Sequence, residues 1–200
     1  MKKDFWKQDI FKIPNLLSIL RLILIPVFLW IYLTAKEQPW FIIAAVVLAF
    51  SGLTDLLDGW IARKYNMITQ LGKVLDPIAD KITQVSVCVA LWIRYPELIV
   101  LLIVMVLKEL LMMVGGLVLF RKKVKLDGSR WYGKIATTIF YVLMFAIVVS
   151  SYIPPWFLIA TDVIIIAVMI FAFIMYIPVF LTLFRKGEEK AVPEEGNVAD

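Results

Sequence analysis

Long apolar stretches alternate with short polar ones along the whole chain. Runs rich in Leu, Ile, Val, Phe and Met occupy residues 16–34, 40–62, 73–93, 97–120, 133–151 and 156–184, each close to the roughly 20 residues a helix needs to cross a bilayer. None shows the two-residue alternation of a barrel strand, and in hydrocarbon a helix satisfies its own backbone polar groups. The pattern predicts an all-α integral membrane protein with six transmembrane helices. Ahead of the first run, Phe5, Trp6, Ile10 and Phe11 are interleaved with charges over residues 4–12, the spacing of a short amphipathic helix lying in the membrane interface. After the last run, "KGEEKAVPEEGNVAD" is polar and reads as a disordered tail. The expected organisation is an N-terminal interfacial segment over 1–14, one membrane domain over 15–186 and a cytoplasmic tail over 187–200. No internal repeat or low-complexity tract interrupts it.

Composition sharpens this picture. The 200 residues are 62% hydrophobic and 18% charged, well away from the roughly 45–50% apolar usage of soluble domains. Lys2, Lys3, Lys7 and Lys12 precede the first run. Arg63, Lys64 and Lys73 lie between the second and third, and Arg121, Lys122, Lys123, Lys125, Arg130 and Lys134 between the fourth and fifth. The alternate loops hold only Lys36 and Arg94, so the positive-inside rule places both termini in the cytoplasm of a multi-pass cell-membrane protein. Spread in this way, the net charge of +5 points to lipid headgroups as partners, not to nucleic acid. Trp40, Trp92, Tyr95, Trp131, Tyr132, Trp156 and Tyr176 fall near span ends, as an aromatic belt does. The chain has no histidine and a single cysteine, Cys88, within an apolar run. That removes an intrachain disulfide, a cysteine zinc site and every scheme with a histidine base. No short apolar core with a cleavage site marks a secretory signal at the N-terminus.

One stretch breaks the apolar rule. In "DLLDGWIARKYNMITQLGKVLDPIAD", residues 55–80, Asp55, Asp58, Gly59, Ala62 and Arg63 follow at helical steps and share one stripe near the end of the second run. Gly72, Asp76 and Asp80 repeat at four-residue steps at the start of the third. If the two helices pack antiparallel, both acidic stripes face a common pocket. A charge deep in a bilayer costs on the order of 3 kcal/mol even on lenient scales, and crowded carboxylates repel one another. Arg63, Lys73 and Lys81 can supply part of the balancing charge. Two hard divalent cations held by carboxylate oxygens fit better, as in two-metal phosphoryl-transfer sites, with Mg2+ or Mn2+ the natural choice beside phosphates. Gly59 and Ala62 keep the acidic face open, either to a ligand or to a close-packed helix.

The spacing D-x2-D-G-x2-A-R-x8-G-x3-D-x3-D, met without a gap by Asp55, Asp58, Gly59, Ala62, Arg63, Gly72, Asp76 and Asp80, resembles the signature of the CDP-alcohol phosphatidyltransferases. "IPNLLSILRLILIP", with Pro14, Asn15, Ser18, Arg21 and Pro26, is similar to the opening segment of that family, and the six-span layout extends the resemblance over nearly the whole chain. Members transfer a phosphatidyl group from CDP-diacylglycerol to an alcohol and release CMP. The resemblance implies that Asp55, Asp58 and Asp76 are metal ligands and that Asp80 is both near the metals and the catalytic base. It also implies that Gly59, Ala62 and Arg63, with Asp55, Asp58 and Gly72, lie against the CDP moiety, and that the protein is a homodimer. An aspartate is a weak base for an alcohol, so Asp80 can serve only within a cluster that raises its basicity and beside a polarised acceptor hydroxyl.

The acceptor is less sharply marked. Lys108 and Glu109 stand inside the fourth run, where ionisable residues are costly. Members of the family that use glycerol 3-phosphate usually have Arg-Glu there, so the lysine is a departure that trades a bidentate fork for a point charge. Lys108, Arg121, Arg130 and Lys134 are the candidate ligands for an anionic acceptor phosphate, although topology alone also asks for positive charge in that loop. Gly133 and Lys134 match a Gly-Lys pair of the family's synthases. The reading that follows is glycerol 3-phosphate as acceptor, a small anionic alcohol giving phosphatidylglycerophosphate. A CMP-forming cardiolipin synthase using phosphatidylglycerol is the alternative. An ion-coupled transporter is a remote third reading, since it would place the acids near the midplane and interrupt the helices. Asp162, an isolated acid in the sixth run, has no assigned role.

Overall fold

Six long helices follow the six apolar runs in a computed structural model that describes residues 11–69, 71–121 and 131–189, with side chains described except at 73, 120, 121 and 186–189. They are α1 (Ile13–Thr34), α2 (Gln38–Lys64), α3 (Gly72–Arg94), α4 (Ile99–Arg121), α5 (Trp131–Val148) and α6 (Pro155–Glu189), with one 3-10 turn, Pro96–Leu98, before α4. Among the described residues there is no strand. Prolines open several of these helices, where the missing N–H has no intrahelical acceptor in any case.

Five stretches are long and apolar enough to span a bilayer: Ile13–Thr34, Gln38–Lys64, Pro96–Leu119, Trp131–Val148 and Pro155–Arg185. The sequence pattern predicts six. The helix that falls short is α3, whose 23 residues give ample length at about 1.5 Å each; it carries Asp76, Asp80 and Lys81, and these acids and bases dilute its apolar character. The expected interfacial helix over 4–12 lies almost wholly outside the described residues. The helix α6 continues to Glu189, and the rest of the expected tail, residues 190–200, lies outside the description.

The turn between α2 and α3 decides where the acidic stripes meet. Tyr65 N–H donates to the Ile61 carbonyl and Met67 N–H to that of Ala62, both at 3.0 Å, while Asn66 adopts a left-handed φ of 52°. This is a helix stop of the kind that asparagine tolerates. The chain reverses within a few residues, and Thr69 Oγ1 then accepts the Gly72 N–H at 2.8 Å, satisfying a donor at the start of α3. The start of α1 closes the same corner: Asn15 Nδ2 donates to Thr69 Oγ1 at 3.0 Å, and the Thr69 hydroxyl lies 3.1 Å from Asn15 Oδ1. As a result α1 packs most extensively on α2 and α3.

The two ends of the bundle differ in kind. At the end opposite the aspartates, Phe28 and Tyr32 of α1, Phe41 and Ala44 of α2, Ala90 and Leu91 of α3, Met105 of α4, Met144 of α5 and Ile165 of α6 form one continuous buried core. Ala44 and Ala90, both without exposed surface, let backbones approach as small residues do in membranes. Polar clamps tie the loops there. Gln38 Nε2 donates to the Val149 carbonyl and its Oε1 accepts from Ser151 N–H, each at 2.8 Å. Arg94 Nη1 donates to the Ala35 carbonyl at 3.2 Å, and its guanidinium stacks 4.2 Å from the Phe41 ring centre. At the aspartate end the buried residues include Asn15, Ser18, Arg21, Thr54, Asp58 and Thr69. Large apolar side chains such as Trp30, Val46, Leu56, Ile103, Val142 and Ile159 face outward, where a bilayer covers them.

Gly72 sits at the tightest point of the corner. A Cβ there would lie 2.7 Å from Asn15 Oδ1 and 3.0 Å from Thr69 Oγ1, and both are short buried side chains held by their mutual hydrogen bonds. Gly72→Ala is expected to destabilise the protein by about 1–3 kcal/mol, as overpacking does, read as a lower melting temperature in detergent; an unchanged melting temperature would show that the corner yields.

Candidate active site

Acids of both stripes reach α1, which packs on α2 and on α3; the direct packing of α2 on α3 that the sequence reading supposes is not among the extensive helix contacts, and α1 stands between the two. Asp55 and Asp58 lie near the end of α2, Asp76 and Asp80 on the first turns of α3. The group that joins them comes from α1. Asn15, Ser18 and Arg21 recur every three residues and are all buried against this face. Arg21, 2% exposed, places Nη2 at 2.6 Å from Asp58 Oδ2 and Nη1 at 2.6 Å from Asp55 Oδ1. The Ser18 hydroxyl lies between Asp76 Oδ1, its closest partner, Asp58 Oδ2 at 3.3 Å and the Pro14 carbonyl at 3.1 Å. Its single proton serves one of them at a time.

The fourth acid is held from another direction. The Tyr141 hydroxyl, on α5, donates to Asp80 Oδ1 at 2.7 Å, fixing one oxygen of the carboxylate. The next residue of α3 passes from the acidic stripe to a basic one. Lys81 Nζ pairs with Glu109 Oε2 at 2.6 Å, and Lys108 Nζ with Glu109 Oε1 at 2.7 Å. Glu109 of α4 is therefore bridged by two lysines, and the pair read from the sequence as Lys108 and Glu109 is a triad that includes α3.

Several sequence-predicted residues stand elsewhere. Arg63 is exposed and turns onto its own helix, where Nε donates to the Gly59 carbonyl at 2.9 Å. Lys81 is engaged by Glu109. Of the described cations, then, Arg21 neutralises the acids where Arg63 and Lys81 were the expected candidates; the side chain of Lys73 is outside the description. A Cβ on Gly59 would meet only Arg63 Nη2, at 3.6 Å, so no neighbouring helix accounts for the missing side chain and the face beside Asp55 and Asp58 is open. Gly133 is different, since a Cβ there would lie 2.8 Å from the Tyr176 hydroxyl, and packing of α5 on α6 explains it. Lys134 is exposed. The side chain of Arg121 and all of Arg130 lie outside the described residues. Asp162 Oδ1 is buried with no hydrogen bond among the described residues, and nothing in the structure accounts for it.

Arg21 and Ser18 were legible only as positions of the opening segment. Their three-residue spacing within an apolar run is the signal that they face a polar partner. Tyr141 carried no such signal, because a tyrosine in a membrane span is ordinary.

The donor set suits a hard divalent cation, being carboxylate oxygen throughout, with four negative groups against one guanidinium. Among the described residues no three acidic side chains converge into a ready ligand group. Asp55 and Asp58 are drawn to Arg21, and Asp80 to Tyr141.

The family model for CDP-alcohol phosphatidyltransferase matches residues 11–184. A cardiolipin synthase (CMP-forming) of Streptomyces coelicolor is 37% identical over 139 residues, covering 67% of this chain and 62% of that protein. Two proteins named CDP-diacylglycerol–glycerol-3-phosphate 3-phosphatidyltransferase are similarly related: that of Haemophilus influenzae is 35% identical over 64% of this chain and 70% of its own, and that of Aquifex aeolicus 37% identical over 62% and 68%. The chain thus matches a little under two thirds of the Streptomyces protein's length.

The Lys81–Glu109–Lys108 triad supports a stability prediction independent of any reaction. Glu109, 16% exposed, is expected to cost about 1–3 kcal/mol when replaced by alanine, leaving two lysines without their shared partner. Lys81→Ala, at a site 47% exposed, is expected to cost less than about 1 kcal/mol. Thermal unfolding of both variants in detergent checks the order, and equal losses would refute it.

Proposed function

The chain belongs to the CDP-alcohol phosphatidyltransferase family, and on that premise we propose that it transfers a phosphatidyl group from CDP-diacylglycerol to sn-glycerol 3-phosphate, releasing CMP and giving phosphatidylglycerophosphate. The observation that supports the reading most is that one stripe of α1 engages acids of both helices, Arg21 reaching Asp55 and Asp58 and Ser18 reaching Asp58 and Asp76. Asp55, Asp58, Asp76 and Asp80 would hold two divalent cations, Mg2+ or Mn2+. Bound there, such cations supply charge neutralisation for the diphosphate and the departing CMP. Gly59, with no side chain and no helix packed on it, leaves room beside the acids for the CDP moiety, which Ala62, Arg63 and Gly72 would flank. Asp80 takes the proton of the acceptor hydroxyl. Tyr141 holds its Oδ1, which directs the other oxygen toward the acceptor and limits the rotation that would misplace the base.

Charge next to Asp80 supports an anionic acceptor. The following residue, Lys81, with Lys108, outnumbers Glu109 in the triad, so a phosphate arriving there meets net positive charge. Lys134, Arg121 and Arg130 are further candidates for the same phosphate. Relatives of similar identity are named for either acceptor, and a cardiolipin synthase using phosphatidylglycerol is accordingly the competing assignment. We further propose that the site opens to the cytoplasm, with both termini on that side, and that the protein works in the cell membrane as a homodimer.

CMP release by the purified protein, with CDP-diacylglycerol and Mg2+ or Mn2+, is expected with glycerol 3-phosphate and not with phosphatidylglycerol; the reverse result would assign the other acceptor. Asp80→Asn is expected to lower turnover by at least about 100-fold, the scale of a lost general base, while the variant still binds CDP-diacylglycerol. Normal turnover in that variant would remove Asp80 from the chemistry.

A further inference from the structure

Arg21 heads the large side chains that are fully buried in this protein, and its two terminal nitrogens each rest on a different carboxylate of α2. Those carboxylates, Asp55 and Asp58, are the same groups proposed above to ligate a divalent cation. We infer that Arg21 is a built-in placeholder for that cation: its guanidinium neutralises Asp55 and Asp58 while no ion is bound, and yields them when one arrives. The inference rests on the metal reading of the site and adds the residue that competes with the metal.

Three observations carry it. The first is position. Arg21 is the described cation in direct contact with the cluster, and it bridges acids one helical turn apart, as an ion shared between them would. The second is the quality of its hold. Nη2 makes a hydrogen bond to Asp58 at 2.6 Å. Nη1 is ion-paired with Asp55 at the same distance, while Nε is buried with no hydrogen-bond partner among the described residues. A guanidinium has five N–H donors in a rigid fork, and a permanent strut of this kind is ordinarily satisfied in full when buried. The third is access. The Asp58 side chain is 3% exposed and the Asp55 side chain 45%. An ion therefore reaches the more exposed partner first, and exchange begins at Asp55.

The placeholder answers a folding problem. Four carboxylates in a low-dielectric bundle repel one another before any ion is present, and a chain without an internal cation would have to bind metal in order to pack α1 on α2 and α3. Arg21 lets the helices assemble first. The consequence is a weaker apparent affinity for the metal, because each binding event must displace a charge already in place.

The test is a titration of the full chain in detergent with Mn2+ alone, following loss of the free-ion paramagnetic resonance signal, with thermal unfolding in EDTA run in parallel. Arg21→Gln is expected to bind Mn2+ on the order of tenfold tighter than wild type, since one competing charge has gone. It should also melt lower in EDTA and recover more on adding Mn2+. Arg21→Lys, which keeps a charge without the two-pronged fork, should fall between the two, and it carries the comparison if the glutamine variant does not survive EDTA. Lys64→Gln, which removes a cation stacked on Trp60 at 4.3 Å, should stay within about twofold of wild type, as screened surface charges do. Folded Arg21 variants that bind Mn2+ no tighter than wild type would overturn the placeholder and leave the metal reading standing. A wild-type protein that binds no Mn2+ would overturn both.

Discussion

Negative charge inside a membrane bundle has to be balanced within reach of a few ångströms, and this requirement organises the protein. Asp58 is almost completely enclosed, and it is tolerable only because Arg21 lies against it at 2.6 Å. That contact fixes α1 to α2. Ser18, one turn earlier, reaches Asp76 and fixes α1 to α3, while Asn15, at the helix start, engages Thr69 in the turn between α2 and α3. One polar stripe at three-residue spacing thus clamps three helices, and the hydrophobic effect, weak between helices already in lipid, is left to shape the opposite end.

The basic triad stands to the other side of Asp80 and follows the same rule with the signs reversed. Lys81 and Lys108 would be costly as isolated cations in a span, and Glu109 makes them affordable by sharing its two oxygens. The sequence around residue 80 therefore passes from acid to base in a single step, Asp80 to Lys81, and α3 addresses different neighbours with the two signs: α1 through Asp76 and α4 through Lys81. The proposed transfer of a phosphatidyl group from a diphosphate donor to an anionic alcohol, with loss of CMP, would have use for both, close together and not mixed.

Much of this could be read from the chain because membrane helices reveal themselves by length. The six runs match the six helices to within a few residues, and the aspartate spacing marked one stripe on each of α2 and α3. What escaped was the choice among possible partners. Arg63, Lys73 and Lys81 lie close to the acids in sequence, and proximity along the chain favoured them. The folded geometry selects Arg21, more than thirty residues away, because α1 is the helix that packs into the groove between the acidic stripes. Tyr141 escaped for the same reason at greater range. Long-range pairing depends on which helices touch, and hydrophobic periodicity alone leaves that open. The departure of α3 from a fully apolar span was legible too, in hindsight of the same acids that define the site.

The stopper at the far end has a consequence for traffic. Phe28, Tyr32, Phe41 and Leu91 fill the interior there, and the Gln38 and Arg94 clamps knot the loops above it. Among the described residues, that end of the bundle is closed by apolar packing. On the proposed reading, a headgroup would be handled from the aspartate end alone, because the far end offers it packed apolar side chains in place of charge.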